Sequence, residues 1–285
     1  MKTNNSGFFQ QSHQPFVIIA GPCSIENEKQ IDQIQKVLLE ENISLMRGGI
    51  YKMRTCPDSF QGLGKEAIDL IQNLKKKRSL KFVSEVTDPR QIETLFSVVD
   101  IFQVGTRNMF NYELLKELGK YSKPVLLKRA FSARVKEWLL AAEYVIQGGN
   151  NKIILCERGI RTFETGTRNT LDLSGALLAQ RESTFPVMVD PSHGTGEASL
   201  VMPMAFAVAA AGLDGLLLEI HPEPYKALSD GSQSLNFSQF KQMMKQLKKI
   251  LYVIGKPIGN EFTYEDSFNE PATTGNKADI QLHSS

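Results

Sequence analysis

Cysteine is scarce in this chain: Cys23, Cys56 and Cys156 are its only three in 285 residues. An odd, sparse set cannot staple a fold of this length, and no charged segment leading into an apolar one opens the sequence, so a reducing, cytoplasmic location is expected. Long apolar runs are missing as well. The best candidate, residues 201–218, is interrupted by Pro203, Gly212, Asp214 and Gly215, whereas a membrane helix needs roughly 20 apolar residues. No membrane span is expected. Neither sign of charge dominates, with 33 Lys and Arg against 31 Asp and Glu, so the broad positive field of a nucleic-acid or anionic-membrane binder is absent. The GxGxxG and GxxxxGK[ST] patterns are missing too, which argues against a dinucleotide or nucleoside triphosphate cradle. Any anionic ligand must therefore meet a local cluster of cations.

What the chain does have is an alternation of two periods. Eight short runs rich in Val, Ile, Leu and Phe lie at 16–20, 44–49, 81–86, 101–104, 124–128, 152–157, 186–189 and 215–220. Amphipathic stretches predict helices between them at 28–41, 65–77, 111–119, 134–147, 170–180 and 200–211, with 237–254 closing the series. Eight βα units in about 240 residues predict a (β/α)8 TIM barrel, an α/β fold. An open doubly wound sheet, usually of about five or six strands, is the second reading. The predicted organisation is an N-terminal arm over 1–15, a catalytic barrel over 16–254 and a polar tail over 255–285, with Phe262 and Tyr264 available to pin the start of the tail. The basic run from Lys75 to Arg78 ends a predicted helix, where cations complement the helix dipole.

In such a barrel the active site lies at the C-terminal strand ends, and polar residues collect there strand after strand. Cys23 follows the first; Arg47, Lys52 and Arg54 follow the second; Glu85 ends the third; Arg107 follows the fourth. Lys128 and Arg129, then Cys156, Glu157 and Arg158, then Asp190, Ser192 and His193, then Glu219 and His221 mark the remaining four. Arg47, Lys52, Arg54, Arg107, Lys128 and Arg158 would converge on one mouth, where they repel one another unless anions neutralise them. Arg forks and Lys point charges together suit a ligand bearing both phosphate and carboxylate, or two phosphorylated ligands. Cys23, His193, Glu219 and Asp230 form a second set. One thiolate, one imidazole and two carboxylates suit one divalent metal ion of the Mn, Fe, Co or Zn type, with His221 as a competing ligand and His13 and His283 too distant in sequence to be assigned.

These residues stand in blocks that resemble the 3-deoxy-D-arabino-heptulosonate 7-phosphate (DAHP) synthase family. The blocks are Ala20-Gly-Pro-Cys-Ser, Arg47-Gly-Gly-Ile-Tyr-Lys-Met-Arg-Thr, Ser59-Phe-Gln-Gly-Leu-Gly, Val104-Gly-Thr-Arg-Asn, Leu126-Leu-Lys-Arg, Cys156-Glu-Arg-Gly-Ile-Arg-Thr-Phe-Glu, Val189-Asp-Pro-Ser-His and Leu228-Ser-Asp-Gly-Ser-Gln-Ser-Leu. They run through residues 16–254 and are most similar to the short branch of that family, itself related to 3-deoxy-D-manno-octulosonate 8-phosphate (KDO8P) synthase. The resemblance implies a barrel enzyme of aromatic amino acid biosynthesis that condenses phosphoenolpyruvate with D-erythrose 4-phosphate. It implies Cys23, His193, Glu219 and Asp230 as metal ligands, Arg47, Lys52, Arg107, Lys128 and Arg158 around phosphoenolpyruvate, and Arg54 and Thr55 toward the aldose phosphate. Lys52, His193 and Cys23 are the candidate catalytic residues.

One departure stands out. Met53 replaces the proline of the family's usual Lys-Pro-Arg-Thr, releasing a fixed φ in the aldose loop. The four-carbon aldose stays the first expectation, and an amino sugar phosphate is an alternative because of Met53. Arabinose 5-phosphate is the runner-up through the octulosonate relation, although that branch's Lys-Ala-Asn-Arg-Ser type of loop is absent here, and a non-catalytic sugar-phosphate binder is the alternative class. By resemblance the chain is also expected to form a homodimer or homotetramer, with regulation left to a separate partner protein. Oxidation linking Cys56 to Cys23 would dislodge the metal.

Overall fold

Along β1 (Phe16–Gly21) the side chains alternate between two apolar layers. Phe16, Ile18 and Ala20 join a large outer cluster, whereas Val17 and Ile19 join a small inner one. The same period of two, inherent to a pleated strand, runs around the whole sheet. β2 (Leu45–Arg47), β3 (Lys81–Val86), β4 (Ile101–Val104), β5 (Val125–Lys128), β6 (Ile153–Glu157), β7 (Val187–Val189) and β8 (Gly215–Glu219) follow in order. Every neighbouring pair is parallel, and β1 pairs with both β8 and β2. That last pairing closes the ring. An open doubly wound sheet is thereby excluded, and the (β/α)8 barrel stands. The protein is seen in a computed structural model that describes residues 14–54, 56–77 and 80–264.

The outer layer is completed by α1 (Glu28–Glu40), α2 (Lys65–Lys77), α3 (Ile92–Phe96), α4 (Tyr112–Gly119), α5 (Val135–Gln147), α6 (Leu173–Glu182), α8 (Ala198–Ala210) and α9 (Phe237–Val253), with a short α7 (Pro191–Thr195) placed just after β7. Their starts are written locally. Asn27 accepts from the Gln30 amide at the head of α1, and Asn236 and Gln239 form a reciprocal capping box on α9. Each buries one stripe, such as Ile31, Ile34 and Leu38 of α1 or Phe240, Met244 and Leu247 of α9, against the strands. α3 and α7 are too short to show a helical period in the sequence, which is why neither was expected.

Inside the ring, Val17, Ile19, Leu45, Val83, Ile101, Leu126, Ile154, Cys156, Met188 and Leu217 fill the lower lumen. Continuing upward by two residues per step, the inward positions become Arg47, Glu85, Gln103, Lys128, Arg158, Asp190 and Glu219. The lumen thus changes from apolar to charged over one period. At the matching position on β1 stands Gly21, where an added Cβ would lie 2.0 Å from the Arg47 carbonyl oxygen, so only glycine lets these two strands approach.

The opposite end of the barrel is stoppered by the chain after α9. β9 (Ile258–Gly259) pairs in parallel with the start of β1, and the Phe262 ring enters the inner cluster. Lys256 anchors this segment by donating to the Gly212 carbonyl at 2.9 Å and pairing with Asp214 at 2.8 Å, both groups being buried. The polar composition of residues 255–285 conceals this element. Replacing Phe262 by Ala is expected to lower stability by about 3 kcal/mol, since it opens a cavity under the lumen. Replacing Tyr252, which is 87% exposed, by Ala should change it by less than about 0.5 kcal/mol; urea unfolding of the two variants checks both.

Candidate active site

The charged end of the lumen opens into a cavity of about 260 Å³ whose wall includes all six expected cations: Arg47, Lys52, Arg54, Arg107, Lys128 and Arg158. Parity delivers Arg47 and Lys128 from the last residues of β2 and β5 and Arg158 from the position just past β6, whereas Lys52, Arg54 and Arg107 arrive on the loops after β2 and β4. Thr55 lies outside the described residues. The adjacent Arg129 and Glu157 point the other way. They pair at 3.1 Å outside the barrel, where Arg129 also meets Asp172 at 2.8 Å and ties the loops to α6.

Some of the positive charge is met from within. Lys128 Nζ lies 2.6 Å from Asp190 Oδ2, and Arg47 Nη2 lies 3.2 Å from Glu219 Oε1. Lys52 Nζ donates to the Cys23 carbonyl at 3.3 Å. Burial disfavours the charge on Lys52, but the negative groups around it, Glu85 and Glu219 among them, hold the ammonium above the usual lysine range. Other donors stay unused: Nε and Nη1 of both Arg47 and Arg158 are buried without a hydrogen bond among the described residues. Buried guanidinium donors of this kind are costly unless an anion takes them. The Phe131 ring supports three of the cations that would otherwise push apart, with the guanidinium carbons of Arg161, Arg158 and Arg107 at 4.7, 4.8 and 5.9 Å from its centroid.

Beside this cavity, whose wall includes His193 and Asp230, Cys23, His193, Glu219 and Asp230 each offer one ligand atom, and the four atoms lie within 4.8 Å of one another. Cys23 is held by the loop after β1, where the Gly49 amide donates to its carbonyl at 3.1 Å. His193 sits in α7, a five-residue helix that forms because Asp190 caps it, accepting the His193 amide at 2.9 Å, and Pro191 supplies its first turn. The other Asp190 oxygen, Oδ2, receives Nδ1 of the same histidine at 2.7 Å. Nδ1 therefore carries the proton, and the Nε2 lone pair faces the cluster. Burial pushes the imidazole down to about 4 against the pull of Asp190 and Glu219, so it is neutral near pH 7.

The remaining members are equally suggestive. Burial, then the Glu219 carboxylate, pushes the Cys23 thiol up to about 12; it keeps its proton and donates to Asp230 Oδ2 at 3.0 Å. Burial works against ionisation of Asp230, but His193, the Cys23 donor and Arg168 hold its carboxyl below the usual carboxylate range. Glu219 Oε1 is buried without a hydrogen bond among the described residues, 3.4 Å from His193 Nε2. A buried carboxylate oxygen that has the Arg47 ion pair but no hydrogen bond, converging with a sulfur, an imidazole nitrogen and a second carboxylate, is what a divalent transition ion would satisfy. The residues fit the metal expected from the sequence.

Other expectations change. His221 is withdrawn as a competing ligand: its Nδ1 accepts the Glu223 amide at 3.0 Å and its Nε2 faces Glu26 at 3.4 Å, away from the four. His13 and His283 fall outside the described residues. All three cysteines are free thiols, Cys23 buried and Cys56 exposed. Among the described residues, no helix is long and apolar enough to cross a membrane. Phe131, Arg168 and Gln233 contribute to the site although sequence reasoning gave them no role, and Asp190 proves central where it had been only one strand-end polar residue.

The fold and site together define a TIM-barrel enzyme with an anion cavity beside a four-residue metal-type cluster. Comparison with known proteins narrows the class. The chain matches the DAHP synthetase I family over residues 2–253 and belongs to that family. It is 46% identical over 240 residues to the phospho-2-dehydro-3-deoxyheptonate aldolase of Thermotoga maritima, covering 84% of this chain and 71% of the relative. A solved structure of the Thermotoga maritima enzyme, also described as DAHP synthase, superposes with a TM-score of 0.84 at 44% identity, covering 90% of this chain and 75% of that one. A truncated form of it gives 0.81 at 41% identity, covering 90% and 94%. More distantly, the chain is 31% identical to a 2-dehydro-3-deoxyphosphooctonate aldolase of Syntrophotalea carbinolica, over 84% of this chain and 91% of that one. The resemblance to DAHP synthase, with its more remote octulosonate relation, is thereby shown.

Asp190→Ala should destabilise the metal-free protein by about 3 kcal/mol, because Lys128 would be left buried without its partner and α7 without its cap. Asp190→Asn keeps an acceptor for the cap and should cost less. Chemical denaturation of the two variants side by side measures the difference.

Proposed function

We propose that the protein condenses phosphoenolpyruvate with D-erythrose 4-phosphate and water, giving DAHP and inorganic phosphate, the first step of the shikimate pathway. The observation that carries this reading is the pair of guanidiniums, Arg47 and Arg158, with unused buried donors beside the Cys23, His193, Glu219 and Asp230 cluster. Arg47, Lys52, Arg107, Lys128 and Arg158 grip the phosphate and carboxylate of phosphoenolpyruvate, and Arg54 and Thr55 meet the aldose phosphate. A divalent metal on the four ligands would act as a Lewis acid toward the aldehyde oxygen or a water.

The rest follows from the chain's own groups. C3 of the enol forms a bond to the aldehyde carbon, and the aldehyde oxygen becomes a hydroxyl. A water oxygen bonds to C2, and the resulting hemiketal phosphate breaks its C2–O bond, leaving a ketone. The two protons of the water end on the new hydroxyl and on the released phosphate, so the step balances. In this reading Lys52, held protonated, supplies the aldehyde oxygen's proton and recovers one from the water. The cationic wall keeps both anions oriented while the enol's charge redistributes.

The four-carbon aldose is favoured by the Thermotoga maritima relative's 46% identity against 31% for the octonate aldolase of Syntrophotalea carbinolica. Arabinose 5-phosphate is the second reading, kept by that same relationship, and Met53 keeps another altered aldose open. A homodimer or homotetramer, a cytoplasmic location and a separate regulatory partner belong to the same proposal.

Metal-stripped protein should release phosphate from phosphoenolpyruvate with erythrose 4-phosphate only after Mn²⁺ is returned; turnover with arabinose 5-phosphate alone would move the assignment to the octulosonate branch. Lys52→Met should lower kcat at least about 100-fold. Phe131→Leu removes the aromatic support under Arg158 and should raise KM for phosphoenolpyruvate about tenfold with little change in kcat, which steady-state kinetics on both substrates will separate.

A further inference from the structure

Behind the metal-type cluster lies Gln233, almost wholly buried in the loop between β8 and α9. Its amide is spanned between opposite charges. Nε2 donates to Glu219 Oε2 at 2.6 Å, and Oε1 accepts from Arg168 Nη1 at 2.7 Å. The same Arg168 nitrogen donates to Asp230 Oδ1 at 3.2 Å. Both carboxylates of the cluster therefore have their outer oxygens tied to one unit. Their inner oxygens, Glu219 Oε1 and Asp230 Oδ2, face His193 Nε2 at 3.4 and 3.9 Å.

Residue chemistry at position 233 is tightly limited. A donor must face Glu219 and an acceptor must face Arg168, and the primary amide of glutamine supplies both from one planar group. A glutamate there would set two carboxylates against each other; a lysine would confront the guanidinium. The backbone fixes the reach. Asp230 adopts a left-handed conformation with φ of 52°, and the Gln233 amide donates to the Asp230 carbonyl at 3.3 Å. Arg168 is seated from the other side, its own amide donating to the carbonyl of Thr195, the last residue of α7, at 2.9 Å. The loops after β6, β7 and β8 thus meet at this one junction.

We propose that Gln233 and Arg168 are positioning residues that hold Glu219 and Asp230 each as a single-oxygen ligand, so that the metal meets a preset site instead of two freely rotating carboxylates. The proposal deepens the metal reading above and rests on it. Outer groups of this kind typically change metal affinity by about 10 to 100-fold.

The test is equilibrium binding of Mn²⁺, and separately of Zn²⁺, to stripped wild type, Gln233→Met, Gln233→Glu, Arg168→Met and the Gln233→Met/Arg168→Met double variant, with no substrate present. Each single variant should weaken metal binding about 10 to 100-fold. The double variant should lose little more than the worse single one, because the two residues act as a unit. Thermal unfolding of each metal-free protein separates positioning from misfolding, and Arg168, whose side chain is 40% exposed, provides the variant that disturbs the core least. Single variants that bind both ions within twofold of wild type, or a double variant whose loss is the sum of the two singles, would overturn the relay while leaving the metal site standing. Wild type that binds neither ion would overturn the metal reading and the relay together.

Discussion

The carboxylate of Asp190 is the point on which the rest of the site depends. It is fully buried, and one of its oxygens takes both Lys128 Nζ at 2.6 Å and His193 Nδ1 at 2.7 Å. A lone buried carboxylate would be neutralised or expelled; here burial is outweighed by His193 and Lys128, which hold it well below the usual carboxylate range. Through Lys128 it faces the anion cavity. Through His193 it fixes the tautomer of a metal-type ligand, and through its other oxygen it caps the helix that carries that ligand. The two halves of the site are one electrostatic object.

Strand parity explains how a chain of nearly neutral net charge builds such a concentration of ions. The lower lumen is apolar and stoppered by Phe262, so the barrel closes as an ordinary hydrophobic core. Two residues further along each strand, the same inward direction carries Arg47, Lys128, Arg158, Asp190 and Glu219. Their mutual pairing offsets part of their desolvation. What is left over, the unused donors of Arg47 and Arg158 and the Glu219 oxygen that accepts no hydrogen bond, is the part that substrate and metal are suited to satisfy.

Much of this was legible in the sequence, for a physical reason. Closure into a barrel followed from counting eight βα units, and strand-end residues of the right parity had to face the lumen. The same parity separates Lys128 from Arg129 and Arg158 from Glu157, a distinction that the period of two carries by itself. Residues delivered by loops obey no such period. Cys23, Lys52 and Arg54 are read from their places just after strands and Asp230 from its residue type, with the family blocks agreeing, but Gln233 and Phe131 stand in or beside those blocks without a chemical signature, since an amide or a phenyl ring declares its partners only in three dimensions. Phe262 and Tyr264 stand out in the sequence as able to pin the tail, and both pack on the inner cluster, but β9 escaped notice because two ladder residues leave no pattern in a polar stretch.

The most direct test of this account is X-ray diffraction from crystals soaked with Mn²⁺ and phosphoenolpyruvate, using the anomalous signal of the metal. The account predicts a manganese peak enclosed by Cys23 Sγ, His193 Nε2, Glu219 Oε1 and Asp230 Oδ2, with the ligand's phosphate or carboxylate on the free donors of Arg158 and Arg47. A metal peak elsewhere, or phosphoenolpyruvate bound outside the cavity between Lys128 and Arg158, would contradict it.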